Sequence, residues 1–204
     1  MKRIDRILEN IQREVELYGT SGPDCVFKTN VQFTVSKEDF DAPMTADVEG
    51  AICDVSWFFK CAKERMIVPC GNPDTSFFMK FFGELSLPYG ATWNIDALVD
   101  NLTNTKGWRR AILFNHQDPY RPPCVVSYQF QETKHKTLDC TVTMRSSDVA
   151  KVLATDVFMC GLILYEVREM VGMDAGDLTF NIANAHVYYE DLEYNEEFTI
   201  DYGD

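Results

Sequence analysis

Pro122-Pro123-Cys124-Val125-Val126-Ser127-Tyr128-Gln129-Phe130-Gln131, then Leu138-Asp139-Cys140-Thr141-Val142-Thr143-Met144 running into Arg145-Ser146-Ser147-Asp148, is the stretch that decides the fold. Val125 to Gln131 and Leu138 to Met144 are rich in β-branched and aromatic residues and predict an antiparallel strand pair, joined by the polar Glu132 to Lys136. The Pro pair fixes the backbone ahead of Cys124, at the start of the first strand. On its own a cysteine there is a small buried hydrophobe or, with cations close enough to favour its thiolate, a nucleophile. Beyond Asp148 an apolar run predicts a helix that reaches Met170, capped by Thr155 or by Asp156.

Toward the N-terminus, Ile4, Leu8, Ile11 and Val15 recur at helical spacing and predict an amphipathic helix over 3–17, ended by Gly19 and Gly22. Val26 to Val35 reads as a strand, followed by an acidic loop through Asp47 and a buried helix around Ile52 to Lys63. Pro69, Gly71 and Pro73 predict a loop over 65–75. A helix is expected over 94–104, a strand from Arg110 to Phe114, and extended segments at Thr179 to Ala183 and His186 to Tyr189. A few helices among several long strands predict an α+β fold with helices packed on a mixed sheet. No repeat or linker divides the 204 residues, so one domain spanning 1–204 is expected.

With 32 acidic and 19 basic residues, the formal charge of -13 argues against a protein that grips a nucleic-acid backbone. A small phosphorylated ligand needs only a local arginine cluster, and Arg109, Arg110 and Arg145 are candidates for one. The longest apolar run, Val157 to Tyr165, is too short to cross a bilayer, and the N-terminus alternates charged and aliphatic residues unlike a signal peptide. A cytoplasmic location is expected. Seven cysteines, an odd number with no Cys-x-x-Cys pair, predict free thiols rather than disulfides or a zinc site, and no metal is expected.

Pro122-Pro123-Cys124, Arg145-Ser146-Ser147-Asp148 and Asp156 eight residues later resemble the nucleophile and nucleotide-holding segment of the thymidylate synthase superfamily, and the likeness runs from about Asp54 to Tyr188. The resemblance implies that superfamily's fold, a sheet-to-sheet homodimer, and transfer of a one-carbon unit from 5,10-methylenetetrahydrofolate to C5 of a pyrimidine nucleoside monophosphate. Cys124 would add to C6. Arg145 and Ser146 would hold the phosphate within the subunit, while Arg109 and Arg110, otherwise a solvated pair at a strand edge, would reach the partner's phosphate. His186 and Tyr188 are alternate residues of Asn184-Ala185-His186-Val187-Tyr188 and share a strand face. Spacing alone makes them a half-buried pair; the resemblance makes them ligands of the ribose 3'-hydroxyl. Tyr89 in Pro88-Tyr89-Gly90, otherwise a turn aromatic, matches a tyrosine that assists proton movement at C5. Asp148 would contact the base or its ordered water. One phosphate ligand is missing, because Gly19 to Asp24 contains no Arg and Lys28 is the nearest cation.

Asp156, apart from capping a helix, stands where the family's uracil reader is Asn. An Asp there resembles the deoxycytidylate 5-hydroxymethylase branch, as do Met144 to Val149 and the Val125 that replaces the synthases' usual His. Uracil presents an N3–H donor and an O4 acceptor to an amide; cytosine reverses both and suits a carboxyl that shares a proton. An opposed polar pair costs roughly 1–3 kcal/mol, enough for about tenfold to a hundredfold discrimination. Asp54, three residues before Trp57, stands for the family's water-organising Glu and is shorter by one methylene. Synthases end in an apolar tail that closes over the folate; here much of the region between Tyr188 and Phe198 to Asp204 is absent by that resemblance, so hydride transfer is the weaker expectation, and the compact form is similar to phage-encoded enzymes, whose location would be the host cytoplasm. The leading expectation is a dCMP 5-hydroxymethyltransferase involved in DNA modification. The alternatives are a dUMP or cytidylate C5 methyltransferase, and a nucleotide-binding protein that keeps the fold with weakened catalysis.

Overall fold

Helix α1 (Arg3–Tyr18) buries the periodic stripe Ile4, Leu8, Ile11 and Val15 in a computed structural model that describes residues 2–82, 88–104, 110–115 and 122–192. Gly19 closes it by donating its N–H to the Val15 carbonyl at 2.8 Å, and a Cβ at position 19 would lie 2.4 Å from that oxygen. After β1 (Thr20–Ser21) and β2 (Cys25–Val35), Asp47 caps α2 (Val48–Glu64) by accepting the Gly50 N–H at 2.9 Å. Residues 65–76 contain no helix or strand. Then come α3 (Phe77–Phe82), a 3₁₀ turn (Tyr89–Thr92) and α4 (Ile95–Thr103), whose cap is Asn94. The rest is β3 (Ile112–Phe114), β4 (Val125–Glu132), β5 (Thr137–Met144), β6 (Ser147–Asp148), α5 (Leu153–Val171) and β7 (Asp174–Tyr188).

The architecture is the expected α+β type. Among the described residues the strands form one sheet in the order β1-β2-β7-β5-β4-β3, with β6 also on β7. It is mixed: β2 is antiparallel to β7, β5 and β6 are parallel to it, and β4 and β5 form the predicted antiparallel pair.

A crease crosses this sheet. In β7 the buried side chains are the even residues from Gly176 to Ile182, then the odd residues Ala185 and Val187. In β2 burial likewise passes from Val31 and Val35 to Val26, and the register skips the pair Asn30 and Ala183 while holding on both sides. Asn30 takes a left-handed backbone, φ 57°, a conformation Asn tolerates better than most residues. On the next strand Arg145 and Ser146 separate β5 from β6, yet Met144↔Ile182 and Ser147↔Ala185 keep one register. In β4 the irregularity lies between Val125 and Ser127. β2, β7, β4 and the β5–β6 run therefore change which residues they bury along one line, and beyond that line Asn184, His186 and Tyr188 leave the core.

Three expectations change. Thr155 and Asp156 do not cap α5; both lie inside its first turn, and Thr155 Oγ1 instead accepts the Asp47 N–H at 2.9 Å. The turn into α5 is organised by Asp148, whose Oδ1 accepts the N–H groups of Ala150 at 3.1 Å and Lys151 at 3.2 Å. The two predicted C-terminal strands are one strand, β7, because the crease interrupts its alternation without breaking its ladder. Helix α3 was not anticipated. Phe40 fixes the loop before α2 to α5, since a Cβ at Gly161 would lie 1.7 Å from its ring.

Candidate active site

Beyond the crease the sheet opens into a cavity of about 1030 Å³. Cys124, Arg145, Ser146, Asp148, His186 and Tyr188, six of the residues singled out from the sequence, line it together. Cys124 stands just before β4, its carbonyl accepting the Arg145 N–H at 2.8 Å. The Arg145 guanidinium donates to the Pro122 carbonyl from Nε (3.0 Å), to Ser146 Oγ from Nη1 (2.8 Å) and to Cys124 Sγ from Nη2 (3.9 Å). Asp148 and His186 are partners in the β6–β7 pairing, and the His186 and Tyr188 rings meet edge to face at 5.1 Å.

Burial first, then the Asp156 carboxylate, push the Cys124 thiol up, while Arg145 and Ser146 pull it down; the balance favours the thiol. The arginine beside the sulfur thus does not by itself deliver a thiolate.

Asp156, Tyr89 and Asp54 do not line the cavity. Asp156 on α5 is 2% exposed and its Oδ2 has no partner among the described residues. Burial alone pushes its carboxyl up to about 7. Tyr89 is buried in its 3₁₀ turn, near enough to Asp156 and Cys124 that their charges, after burial, raise its pKa. Gly90 permits this placement, because a Cβ there would fall 1.8 Å from the Phe58 carbonyl oxygen. Asp54 on α2 is fully buried, and both oxygens are engaged: Oδ1 by the Ser76 hydroxyl and Oδ2 by the Phe78 N–H at 2.7 Å. Burial pushes it up to about 6 against those two bonds.

Arg110 is exposed and does not line the cavity. Arg109 lies outside the described residues, as does the C-terminal stretch from 193 onward. Lys28, the cation nearest the loop without arginine, pairs with Glu14 on α1 instead of entering the cavity. The sequence reading passed over Asn184, Phe81, Asp24, Cys25 and Lys151, which also line it. Asn184 was findable, since it shares parity with His186 and Tyr188. Phe81 depends on α3, and Lys151 on Asp148's turn, where Lys151 Nζ pairs with Glu190 at 3.2 Å and Asp191 at 2.7 Å.

All seven cysteines are free thiols, and among the described residues no group of three or more His, Cys, Asp or Glu side chains is placed to hold a metal ion. Among the same residues no helix is long and apolar enough to cross a membrane.

Residues 1–199 match the family model described as thymidylate synthase. A thymidylate synthase of Sphingopyxis alaskensis is 32% identical over 108 residues, covering 50% of this chain and 35% of the relative. A putative thymidylate synthase of Methanopyrus kandleri is 30% identical over 127 residues, 59% of this chain and 60% of the relative. A thymidylate synthase of Malacoplasma penetrans is 25% identical over 132 residues, 59% and 46% respectively. The chain thus spans between a third and three fifths of these curated relatives.

Proposed function

The chain belongs to the thymidylate synthase family, and from that premise we propose that it transfers a one-carbon unit from 5,10-methylenetetrahydrofolate to C5 of a pyrimidine nucleoside monophosphate, with dCMP preferred and 5-hydroxymethyl-dCMP formed. The observation that carries the choice of base is the buried Asp156 with its unpaired oxygen and its carboxyl pushed up to about 7. Protonated, that carboxyl donates to N3 of cytosine and accepts from the 4-amino group. Ionised and facing O4 of uracil, it repels. The same proton serves the nucleophile, because neutral Asp156 no longer opposes ionisation of Cys124.

In this reading the Cys124 thiolate adds to C6 of the base and makes C5 nucleophilic. Arg145 and Ser146 hold the phosphate, Asp148 the base or its ordered water, and His186 and Tyr188 the ribose. Tyr89, a neutral phenol, moves the proton at C5. Asp54 is assigned the water that captures the exocyclic carbon.

The residues suit a folate. The cavity lies at the top of the roughly 300–1,000 Å³ range of small-molecule sites, room for a second ligand beside the nucleotide, and half-exposed Phe81 offers it an aromatic face. When bound, that folate supplies the carbon at the methylene level. A homodimer completes the reading, with Arg109 and Arg110 given to the partner's phosphate. The sheet face away from the core carries Gln32, Thr34, Thr143 and Thr179, a polar surface suited to a second copy.

The relatives' names favour a second reading, methylation of dUMP. Tritium release from C5-labelled dCMP and dUMP, with and without methylenetetrahydrofolate, separates the two, and the mass of the product distinguishes hydroxymethyl from methyl. Release from dUMP alone removes the first reading; release from neither leaves a nucleotide-binding protein.

A further inference from the structure

Asn115, just after β3, is 2% exposed and joins its own segment to the start of β4 and to Trp93. Its N–H donates to the Val126 carbonyl at 3.0 Å, continuing the β3–β4 ladder past the last paired residues, Phe114 and Ser127. Its side chain then does what the backbone cannot. Nδ2 donates to the Val125 carbonyl at 2.7 Å, and Oδ1 accepts the Trp93 indole N–H at 2.9 Å.

Val125 sits at the β4 irregularity, where the register on β5 shifts by one residue between the Val125–Met144 and Ser127–Thr143 pairs. A buried carbonyl there must find another donor, and Asn115 provides it. The Val125 amide also lies close enough to the Tyr89 hydroxyl to draw its pKa down against burial. Trp93 is tied to the same turn as Tyr89 through its N–H to the Gly90 carbonyl at 3.2 Å. The residue that follows Cys124 is therefore clasped between the Tyr89 turn and an amide that this turn itself orients.

We infer that Asn115 is a positioning residue, which fixes the first peptide of β4 and so sets the Cys124 sulfur against Tyr89 and Asp156. The inference rests on the reading of Cys124 as the nucleophile. Its fixed amide has only one useful orientation, because the indole can only donate and the Val125 carbonyl can only accept. Replacing Asn115 frees the peptide at the crease, and the sulfur shifts with it. Displacements on the order of an ångström at a reacting atom cost about a hundredfold in rate.

The test measures tritium release and dCMP affinity in Asn115→Leu, in the near-isosteric Asn115→Asp and in Trp93→Phe. Asn115→Asp keeps the indole bond but sets an oxygen against the Val125 carbonyl, so it serves if the Leu variant does not fold. Both Asn115 variants are expected to lose about a hundredfold in kcat with dCMP affinity within about threefold. Trp93→Phe removes the orienting bond together with part of the buried ring that packs on Phe58, Phe59 and Tyr128, keeps both Asn115 bonds to β4, and should lose about tenfold or less in kcat. Loss of kcat and affinity together, or a kcat within about twofold of the parent, overturns the inference. If the parent protein releases tritium from neither nucleotide, the enzymatic reading fails first. The positioning is then read at the sulfur, by the rate at which iodoacetamide labels the Cys124 peptide. At least a fivefold change is expected, on the order of what a displaced thiol gives, with buried Cys140 and Cys160 still protected. An unchanged labelling rate overturns it.

Discussion

Gly176 to Ile182 and Asn184 to Tyr188 are two halves of one strand with opposite uses. In the first half the even residues Leu178, Phe180 and Ile182 are buried in the core; in the second the even residues Asn184, His186 and Tyr188 face the cavity. The same division runs across the sheet, with Leu138 to Met144 packed on one side of the crease and Ser146 to Asp148 lining the cavity on the other. Alternation alone makes no such distinction. A strand can carry both core and chemistry when its neighbours turn with it, and the left-handed Asn30 on β2 lets that happen.

If the halves are truly separate, substitutions beyond the crease should cost turnover and those before it stability. Cys124→Ser is the severest test: C5 tritium release should fall by at least about 10⁴-fold, with nucleotide binding retained in a titration. Equal loss of both would make the cysteine structural. Before the crease, Phe180→Ala removes a fully buried ring stacked on Phe33 at 4.8 Å, and should cost about 3–5 kcal/mol in urea unfolding while the dCMP to dUMP ratio stays fixed. A changed ratio would mean that the crease transmits strain.

Asp156→Asn sharpens the comparison from a buried position on α5. It should move selectivity toward dUMP by about tenfold to a hundredfold and speed alkylation of Cys124 near neutral pH. It also has a signature in stability. The folded-state pKa values of Asp156 and Asp54 lie above the ordinary 3.8, at about 7 and about 6. Their contribution is therefore fully present below about pH 4 and lost as pH rises through 6 and then 7. The urea midpoint of the parent should fall across that window, and the variant should keep only the part due to Asp54. The mildest change is Lys151→Ala, which opens the pairs with exposed Glu190 and half-buried Asp191 and should leave the urea midpoint nearly unchanged, since a solvated ion pair adds little to stability.

Local periodicity made part of this legible. Ile4, Leu8, Ile11 and Val15 are all buried as their spacing requires, and the β4–β5 pair carries its register on its own side chains. Cys124, Arg145, Ser146, Asp148, His186 and Tyr188 were legible through the motifs that carry the family resemblance, and they line one cavity because the strands that hold or flank them pair in one sheet. The start of α3 was not, since six residues give no period and the helix begins where Ser76 and Phe78 bond to Asp54, distant in sequence. Asp54 itself illustrates the limit: its spacing to Trp57 is in the chain, but the occupation of both its oxygens exists only after packing. The capping of α5 failed for the opposite reason, because Asp148, a turn earlier, already organises the backbone that Thr155 and Asp156 were expected to cap.

One carboxylate links the parts. Asp47 gives its N–H to Thr155 on α5, accepts the Gly50 N–H at the head of α2, and accepts Lys80 Nζ of α3 at 2.7 Å. Three helices, bearing Asp156, Asp54 and Phe81, are thereby joined through one residue, at the first turns of α5 and α2 and the last turn of α3. Amide protons in those turns should exchange with solvent in concert, through one shared opening, and a ligand pressing on Phe81 should retard all three together.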